Sequence, residues 1–423
     1  MPKPVVIVGA GLAGLIAARR LSEAQVPFFI LDADDRAGGR LKTDVVDGFR
    51  LDRGFQTLFT AYPTPQAELD MGKLDLRVFA SGAEVFDGVK RHGLQFDRRD
   101  VSLILFNRFV SWPDKFRLGA WAKHLEDSTE ADLRHEEDTT AETYLRRFGF
   151  SERLLDTFMR PFYGGVFLDR GLQFSSNQFN WVSKMLVEGD TVVPNQGIEA
   201  IPAQLAASLP TSAFRFKTRV AGLKKEGGRV TGVVTEDGET IEASAVILAT
   251  SASESARLAG IAAPSNGPTS VCMYFETPEP VIKSKFIVLN GSGEGLANHV
   301  VPVTNLCPAA APAGKHLTSV TLLDGADRTD TYLDFVIRKE MAAWFPGANP
   351  KQWRHLRTYR VRNAQLAQAP GFQKHAPGIE TQTPGLFLAG EWVDNSSIEG
   401  AMRSGDRCGR LVASSVVAPA SSA

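Results

Sequence analysis

The sequence predicts an α/β protein: a discontinuous, Rossmann-like nucleotide-binding domain together with a second, mixed α+β domain. Three observations carry this prediction. The chain opens with a strand, a glycine turn, a helix and a second strand ending in acid, the order of a βαβ unit. A short apolar run near the other end leads into a helix, and a band of alternating residues with turn signals lies between. At 423 residues the chain exceeds one usual domain, so two lobes around a cleft fit its length.

Val5 to Val8 form a continuous apolar run, as a parallel strand buried on both faces requires, and Gly9, Gly11 and Gly14 come next in GxGxxG spacing. Gly9 allows the tight turn, Gly11 lets the backbone approach a pyrophosphate, and Gly14 lets the helix pack closely on the strand. A helix from about Leu12 to Ala24 starts at this turn, so the free N–H groups around Leu12 and Ala13 and the positive dipole end face the phosphates. Asp32, at the end of Val26–Leu31, can accept from ribose hydroxyls and would repel a 2′-phosphate, which disfavours NADP.

The residues after Asp32 narrow the choice of nucleotide. Gly38-Gly39-Arg40 is a second phosphate-approaching glycine pair with an arginine, which a nicotinamide dehydrogenase does not require. The arrangement resembles the FAD-binding start of the flavin amine oxidase superfamily, which includes amine oxidases, protoporphyrinogen oxidases and carotenoid desaturases. That resemblance implies an FAD-dependent oxidoreductase.

The far end offers a second match. Thr383 to Trp392 reads as a short buried strand ending in Gly390-Glu391, and Ser396 to Gly405 then starts a helix whose face carries Ala401, Gly405, Cys408, Val412 and Val416. In the resembling family the Gly-Glu pair reaches the ribityl and pyrophosphate region, and the helix N-terminus points at the flavin pyrimidine. Glu391, Ile398 and the backbone of Met402 are the candidates by that match. A positive helix end would stabilise the anionic reduced flavin.

The middle of the chain supplies a third. Phe214–Leu223 reads as one strand, and Gly227-Gly228 and Asp237-Gly238 mark the turns of a three-stranded meander leading into Ala245–Thr250. By resemblance, the valine of Arg219-Val220 lies against adenine. With motifs at 1–60, 214–250 and 383–410, the FAD-binding domain is expected in residues 1–78, 190–262 and 376–423, and the substrate-binding domain in 79–189 and 263–375.

Composition excludes several classes. Lys plus Arg number 47 against Asp plus Glu 48, so no global field gathers nucleic acid. Cys272, Cys307 and Cys408 are far apart and form no CxxC, which fits a reducing compartment and disfavours a redox disulfide. Seven histidines occur without metal spacing, and His135 lies in a charged run that reads as a solvated face. No metal is expected. Lys3 and its apolar sequel imitate a secretory signal, but the βαβ unit uses those residues, and no stretch reaches the length of a spanning helix. The chain therefore reads as cytoplasmic. Val101–Trp112, with Phe116, Trp121 and nearby bases, reads as part of a substrate-domain helix pair, and its mix of aromatics and bases leaves peripheral membrane contact open. The Ala/Pro/Ser tail after Val417 reads as disordered.

GSGEGL, Gly291 to Leu296, lies between two strand patterns and precedes no helix, so it reads as a hairpin loop. No dedicated NAD(P)H unit is found, and electrons are expected to pass to dioxygen, a quinone or another acceptor. Arg160–Asp169 and Pro194–Pro202 resemble segments of the protoporphyrinogen oxidase and carotenoid desaturase branch. Leu51–Gln56 corresponds to the loop that approaches the isoalloxazine there, which makes Gly54, Phe55 and Gln56 candidates. The position of an amine oxidase's aromatic cage residue is Ser397 here, which puts amine oxidation in doubt. No nearby cysteine matches a covalent linkage, so FAD is expected to be held noncovalently.

The resemblance implies hydride removal from an apolar or partly apolar small molecule held over the flavin. Gln56, Tyr62, Arg160, Tyr163, Trp392 and Asn395 are candidate lining residues, with Gln56, Tyr163 and Trp392 the candidates for catalysis and Arg160 with Tyr163 read as a hydrogen-bonded pair. Three alternatives stay open: a flavin-dependent isomerase without net redox change, an amine oxidase, and a non-catalytic FAD-binding protein.

Overall fold

The computed structural model describes residues 3–95, 107–262 and 267–417. The segments 96–106 and 418–423, on which half of Val101–Trp112 and the predicted disordered tail fall, lie outside the described residues.

A five-stranded parallel sheet runs in the order Phe214–Arg215, Phe28–Leu31, Val5–Val8, Ala245–Leu248, Leu386–Leu388. Its strands come from three widely separated stretches of sequence. Val5–Val8, Ala245–Leu248 and Leu386–Leu388 are buried at every residue, as parallel strands covered on both faces must be. One face is covered by the helices Leu12–Glu23 and Ile398–Val417, which touch backbone to backbone: a Cβ added at Gly405 would lie 2.3 Å from the Ala13 carbonyl oxygen, and one at Gly409 would lie 2.8 Å from that of Ala17. Arg20, buried beside this seam, pairs with Asp406, Glu68 and Glu23. The two ends of the chain are thus packed together.

The opposite face carries the antiparallel meander Val220–Glu226, Arg229–Thr235 and Thr240–Glu242, whose Val230, Val233 and Ile241 join Val6, Val246 and Leu388 in one apolar cluster. The expected single strand Phe214–Leu223 is in fact two. Lys217 has φ +55°, and the Lys217 and Thr218 N–H groups donate to the carbonyls of Asp34 and Asp32, so the chain leaves the parallel sheet and starts a second one.

A seven-stranded sheet runs in the order Arg354–Val361, Ser270–Thr277, His316–Leu322, Ala297–Val301, Ile287–Asn290, Gly82–Phe86, Arg91–Gln95, with one parallel pairing between Ile287–Asn290 and Gly82–Phe86. GSGEGL joins the antiparallel strands Ile287–Asn290 and Ala297–Val301 as a hairpin loop. The helix Asp330–Trp344 buries Leu333, Ile337, Met341 and Trp344 on this sheet at helical spacing.

A group of helices that includes Trp112–Asp127, Ala141–Phe148, Arg160–Phe167 and Ser176–Glu188 packs together and, through Arg160–Phe167, against the strands Ile287–Asn290 and Ala297–Val301. Ser111, Thr140 and Ser175 cap three of them by accepting a backbone N–H from the first turn. Gly164 and Gly165 let Arg160–Phe167 sit close to its neighbours: a Cβ at Gly165 would lie 2.9 Å from Asn298 Nδ2 and 3.0 Å from His299 Nδ1.

Candidate functional site

One cavity of about 1570 Å³ runs from the first glycine turn to this group of helices. It exceeds the roughly 300–1,000 Å³ of a usual small-ligand pocket, and so has room for a dinucleotide and a second molecule.

The nucleotide end is built by backbone. Gly9, at φ +110°, turns so tightly that a Cβ would lie 2.6 Å from the Ala249 carbonyl oxygen. Gly11 precedes the helix Leu12–Glu23 without any side-chain cap, and the first turn holds no acidic residue, so its free N–H groups face the cavity unopposed. Gly39 lies across from Gly11, with a Cβ position 3.3 Å from the Gly11 Cα. Gly38, Gly39 and Arg40 line the same space. Gly14 is not on the wall; its Cβ would fall 2.0 Å from the Gly9 carbonyl oxygen, so it serves helix packing. Asp32 lines the cavity with its carboxylate fixed, accepting from the Ala10 N–H at 2.6 Å and the Asp34 N–H at 2.8 Å. Val220 lines the same end.

Further in, Gly54, Phe55 and Gln56 meet Gly390, Glu391, Trp392 and Ile398. Arg40 forms an ion pair with Glu391 and donates to the Ala364 carbonyl at 3.0 Å. Gln56 donates from Nε2 to the Arg40 carbonyl at 3.2 Å. Its buried Oε1 has no partner among the described residues, and neither has the buried Trp392 indole N–H. These two orphaned polar atoms, beside a cradle of glycines and a bare helix N-terminus, fit a bound nucleotide with a polar ring edge. Met402 is fully buried behind the wall. Ala401 N–H is already bonded to the Ser397 carbonyl, so the end of that helix that meets the cavity is Ile398, one turn before Met402.

The far end is apolar and aromatic, with Phe158, Phe162, Tyr163, Phe167, Leu168 and Val182 on its walls. A match to the family model of flavin containing amine oxidoreductases spans residues 12–413. The chain belongs to this family. It is an oxidoreductase that uses a flavin cofactor. Among its relatives, a phytoene dehydrogenase of Streptomyces griseus is 24 % identical over 92 % of this chain and 82 % of its own length. A hydroxysqualene dehydroxylase of Rhodopseudomonas palustris is 26 % identical over 97 % of this chain and 99 % of its own. The crystal structure of an oxidoreductase from Methanosarcina mazei shares the fold, with a TM-score of 0.75 at 18 % identity over 95 % of this chain and 98 % of that one.

Within this family member, two sequence expectations for the substrate end need correction. Arg160 and Tyr163 do not pair: Arg160 faces Glu142 and Asp156, whereas the Tyr163 and Ser183 hydroxyls share a hydrogen bond of 2.8 Å. Each side chain is held by its own partners, Arg160 by two carboxylates and Tyr163 by a buried hydroxyl. Neither Arg160 nor Asn395 lines the cavity. Asn395 is fully buried, donating to Asp394 and accepting from Ser397. Tyr62 does line it, stacked on Trp181 with ring centroids 5.5 Å apart, and burial pushes its phenol well above the usual range. Ser397 is on the wall.

His299 is a site residue that sequence reasoning missed. It lines the cavity, 2 % exposed, and burial together with the charge of Arg170 pushes its imidazolium down to about 3. A polar Asn-His pair inside the otherwise apolar strand Ala297–Val301 was the available signal.

Proposed function

We propose that the protein binds FAD noncovalently and removes hydride from an apolar or partly apolar organic molecule, passing electrons to dioxygen, a quinone or another acceptor. The observation that carries this reading is the continuity of one cavity from a backbone-built anion cradle to an aromatic chamber. The flavin, when bound, supplies the hydride acceptor. The chain supplies position and dryness.

On this reading residues 1–78, 190–262 and 376–423 bind FAD, and residues 79–189 and 263–375 hold the substrate. Gly9, Gly11, Leu12, Ala13, Gly38 and Gly39 bind the pyrophosphate, Asp32 the ribose, and Val220 the adenine. Gly54, Phe55, Gln56, Gly390, Glu391, Trp392 and Ile398 surround the ring and its ribityl chain. Tyr163 is a wall of the chamber, because Ser183 occupies its hydroxyl. Close packing of a substrate against Phe158, Phe162 and Tyr163 would exclude water and fix the reacting distance. The relatives named for a phytoene and a hydroxysqualene, both largely hydrocarbon, support an apolar substrate. Ser397 in place of an aromatic residue speaks against an amine.

Anaerobic mixing of the purified protein with candidate polyenes and terpenoids tests this. Bleaching of the flavin absorbance, then reoxidation with dioxygen or a quinone, is expected. Turnover that needs prereduced flavin and gives no net oxidation would replace the reading with an isomerase.

A second reading concerns access. Trp112 and Phe116 are 59 % and 73 % exposed on one helix, and Phe116 also lines the cavity. No helix among the described residues is long and apolar enough to cross a membrane. These two rings would instead rest at a lipid surface and lead an apolar substrate inward. Vesicle flotation is expected to carry the protein upward, and a Trp112→Ser/Phe116→Ser double variant to stay below; equal behaviour of the two would remove this reading.

A further inference from the structure

His299 lies on the cavity wall between Phe55 and Gly165, its ring centroid 5.1 Å from that of Phe55. Its neighbours fix which nitrogen carries the proton. Arg170 donates from Nε to Asn298 Oδ1 at 2.9 Å, which settles the oxygen end of that amide. The other end, Asn298 Nδ2, donates to the Pro161 carbonyl at 3.0 Å and stands 3.1 Å from His299 Nδ1. An amide nitrogen offers only hydrogens, so Nδ1 accepts with its lone pair and the ring proton resides on Nε2. Among the described residues Nε2, itself buried, has no partner. A buried N–H without an acceptor is costly, and is retained where a ligand brings the missing oxygen.

Of the polar side chains near the helix Arg160–Phe167, Gln365 already donates to the Val166 carbonyl at 2.6 Å. Phe158, Phe162, Phe167 and Leu168 are apolar, and the Tyr163 hydroxyl is engaged by Ser183. We infer that His299 is the polar anchor of the chamber, a neutral donor that orients a largely apolar substrate bearing a carbonyl or hydroxyl oxygen, in preference to a pure hydrocarbon. This rests on the proposed flavin-dependent function, which makes the aromatic chamber the substrate's. A donor whose proton is fixed by Asn298 and Arg170 gives direction as well as attraction, since the oxygen must approach along one N–H vector. A site built around such a donor discriminates against an analogue lacking the oxygen, because the N–H is then left unpaired.

The test uses the flavin-loaded protein, its His299→Phe and His299→Gln variants, and two probes of similar shape, acetophenone and ethylbenzene, with affinity read by equilibrium dialysis. His299→Phe is expected to weaken acetophenone about five- to tenfold while ethylbenzene stays within about twofold. His299→Gln, which keeps an N–H, is expected to hold acetophenone within about threefold of wild type. All three proteins should carry the same flavin content and absorbance. Equal weakening of both probes, no change in either, or no acetophenone binding to yellow protein up to its solubility overturns the inference. Loss of flavin or a shifted flavin spectrum confined to the variants would make His299 a partner of the flavin and also overturn it. Wild-type protein that takes up no flavin would instead sink the flavin reading itself.

Discussion

The guanidinium of Arg40 is ion-paired with the carboxylate of Glu391, joining the glycine loop near one end of the chain to the strand end near the other at the wall of the cavity. Either partner left alone in this half-buried place is an uncompensated charge. Arg40→Ala and Glu391→Ala are each expected to cost about 1–3 kcal/mol in urea unfolding, and the double variant clearly less than their sum. Additive losses would show that the pair contributes nothing.

Two glycines of the same turn should fail in different ways. Gly11 has ordinary backbone angles, and its nearest neighbour to an added Cβ is Gly39 Cα at 4.0 Å, so Gly11→Val is expected to fold with an unchanged circular dichroism spectrum yet purify without flavin. Gly14 has no such room, because its Cβ would meet the Gly9 carbonyl oxygen at 2.0 Å. Gly14→Ala is therefore expected to lose about 2 kcal/mol or more of stability by forcing helix and strand apart. A yellow Gly11→Val protein would remove the phosphate assignment.

Asp52 gives a prediction in pH. It accepts from the Thr43 hydroxyl at 2.6 Å and the Ile198 N–H at 3.0 Å, yet burial, with Glu199 adding, pushes its carboxyl up to about 6. Between about pH 4 and about pH 6 the folded chain holds a proton that the unfolded chain has released, so this residue's contribution to stability falls as pH rises through that window. Asp52→Asn keeps an acceptor and abolishes the titration. Its melting temperature relative to wild type is expected to rise between about pH 5 and about pH 8, and a constant difference would contradict the assignment.

Gln56 and Tyr163 should separate reaction from architecture. Gln56→Leu removes a buried amide whose oxygen has no partner among the described residues, and is expected to retain flavin while slowing its reduction by substrate about tenfold or more. Tyr163→Phe loses only the bond to Ser183, and is expected to cost about 1 kcal/mol of stability and leave that rate within about threefold. The reverse pattern in stopped-flow reduction would exchange their roles.

The features legible in the residues are those that local geometry dictates. Gly9 and Gly14 announce their turn because a Cβ at either would collide with backbone, and the βαβ unit, the meander and the terminal helix form where their patterns place them. The break at Lys217 was hidden because it is stabilised by the distant carbonyls of Asp32 and Asp34. Arg160 misled for a similar reason: its partner Glu142 lies on another helix. His299 acquires meaning only when Gly165, Asn298 and Arg170 are folded around it, which no spacing along the chain reveals.

The most direct measurement is FAD titration of the purified apoprotein, monitored by absorbance, with acid release of the bound chromophore. The account predicts one FAD per chain, absorbance at roughly 450 nm where oxidised flavins absorb, full release on denaturation, and loss of binding in Gly11→Val. A wild-type protein that folds, stays colourless and takes up no FAD would contradict it.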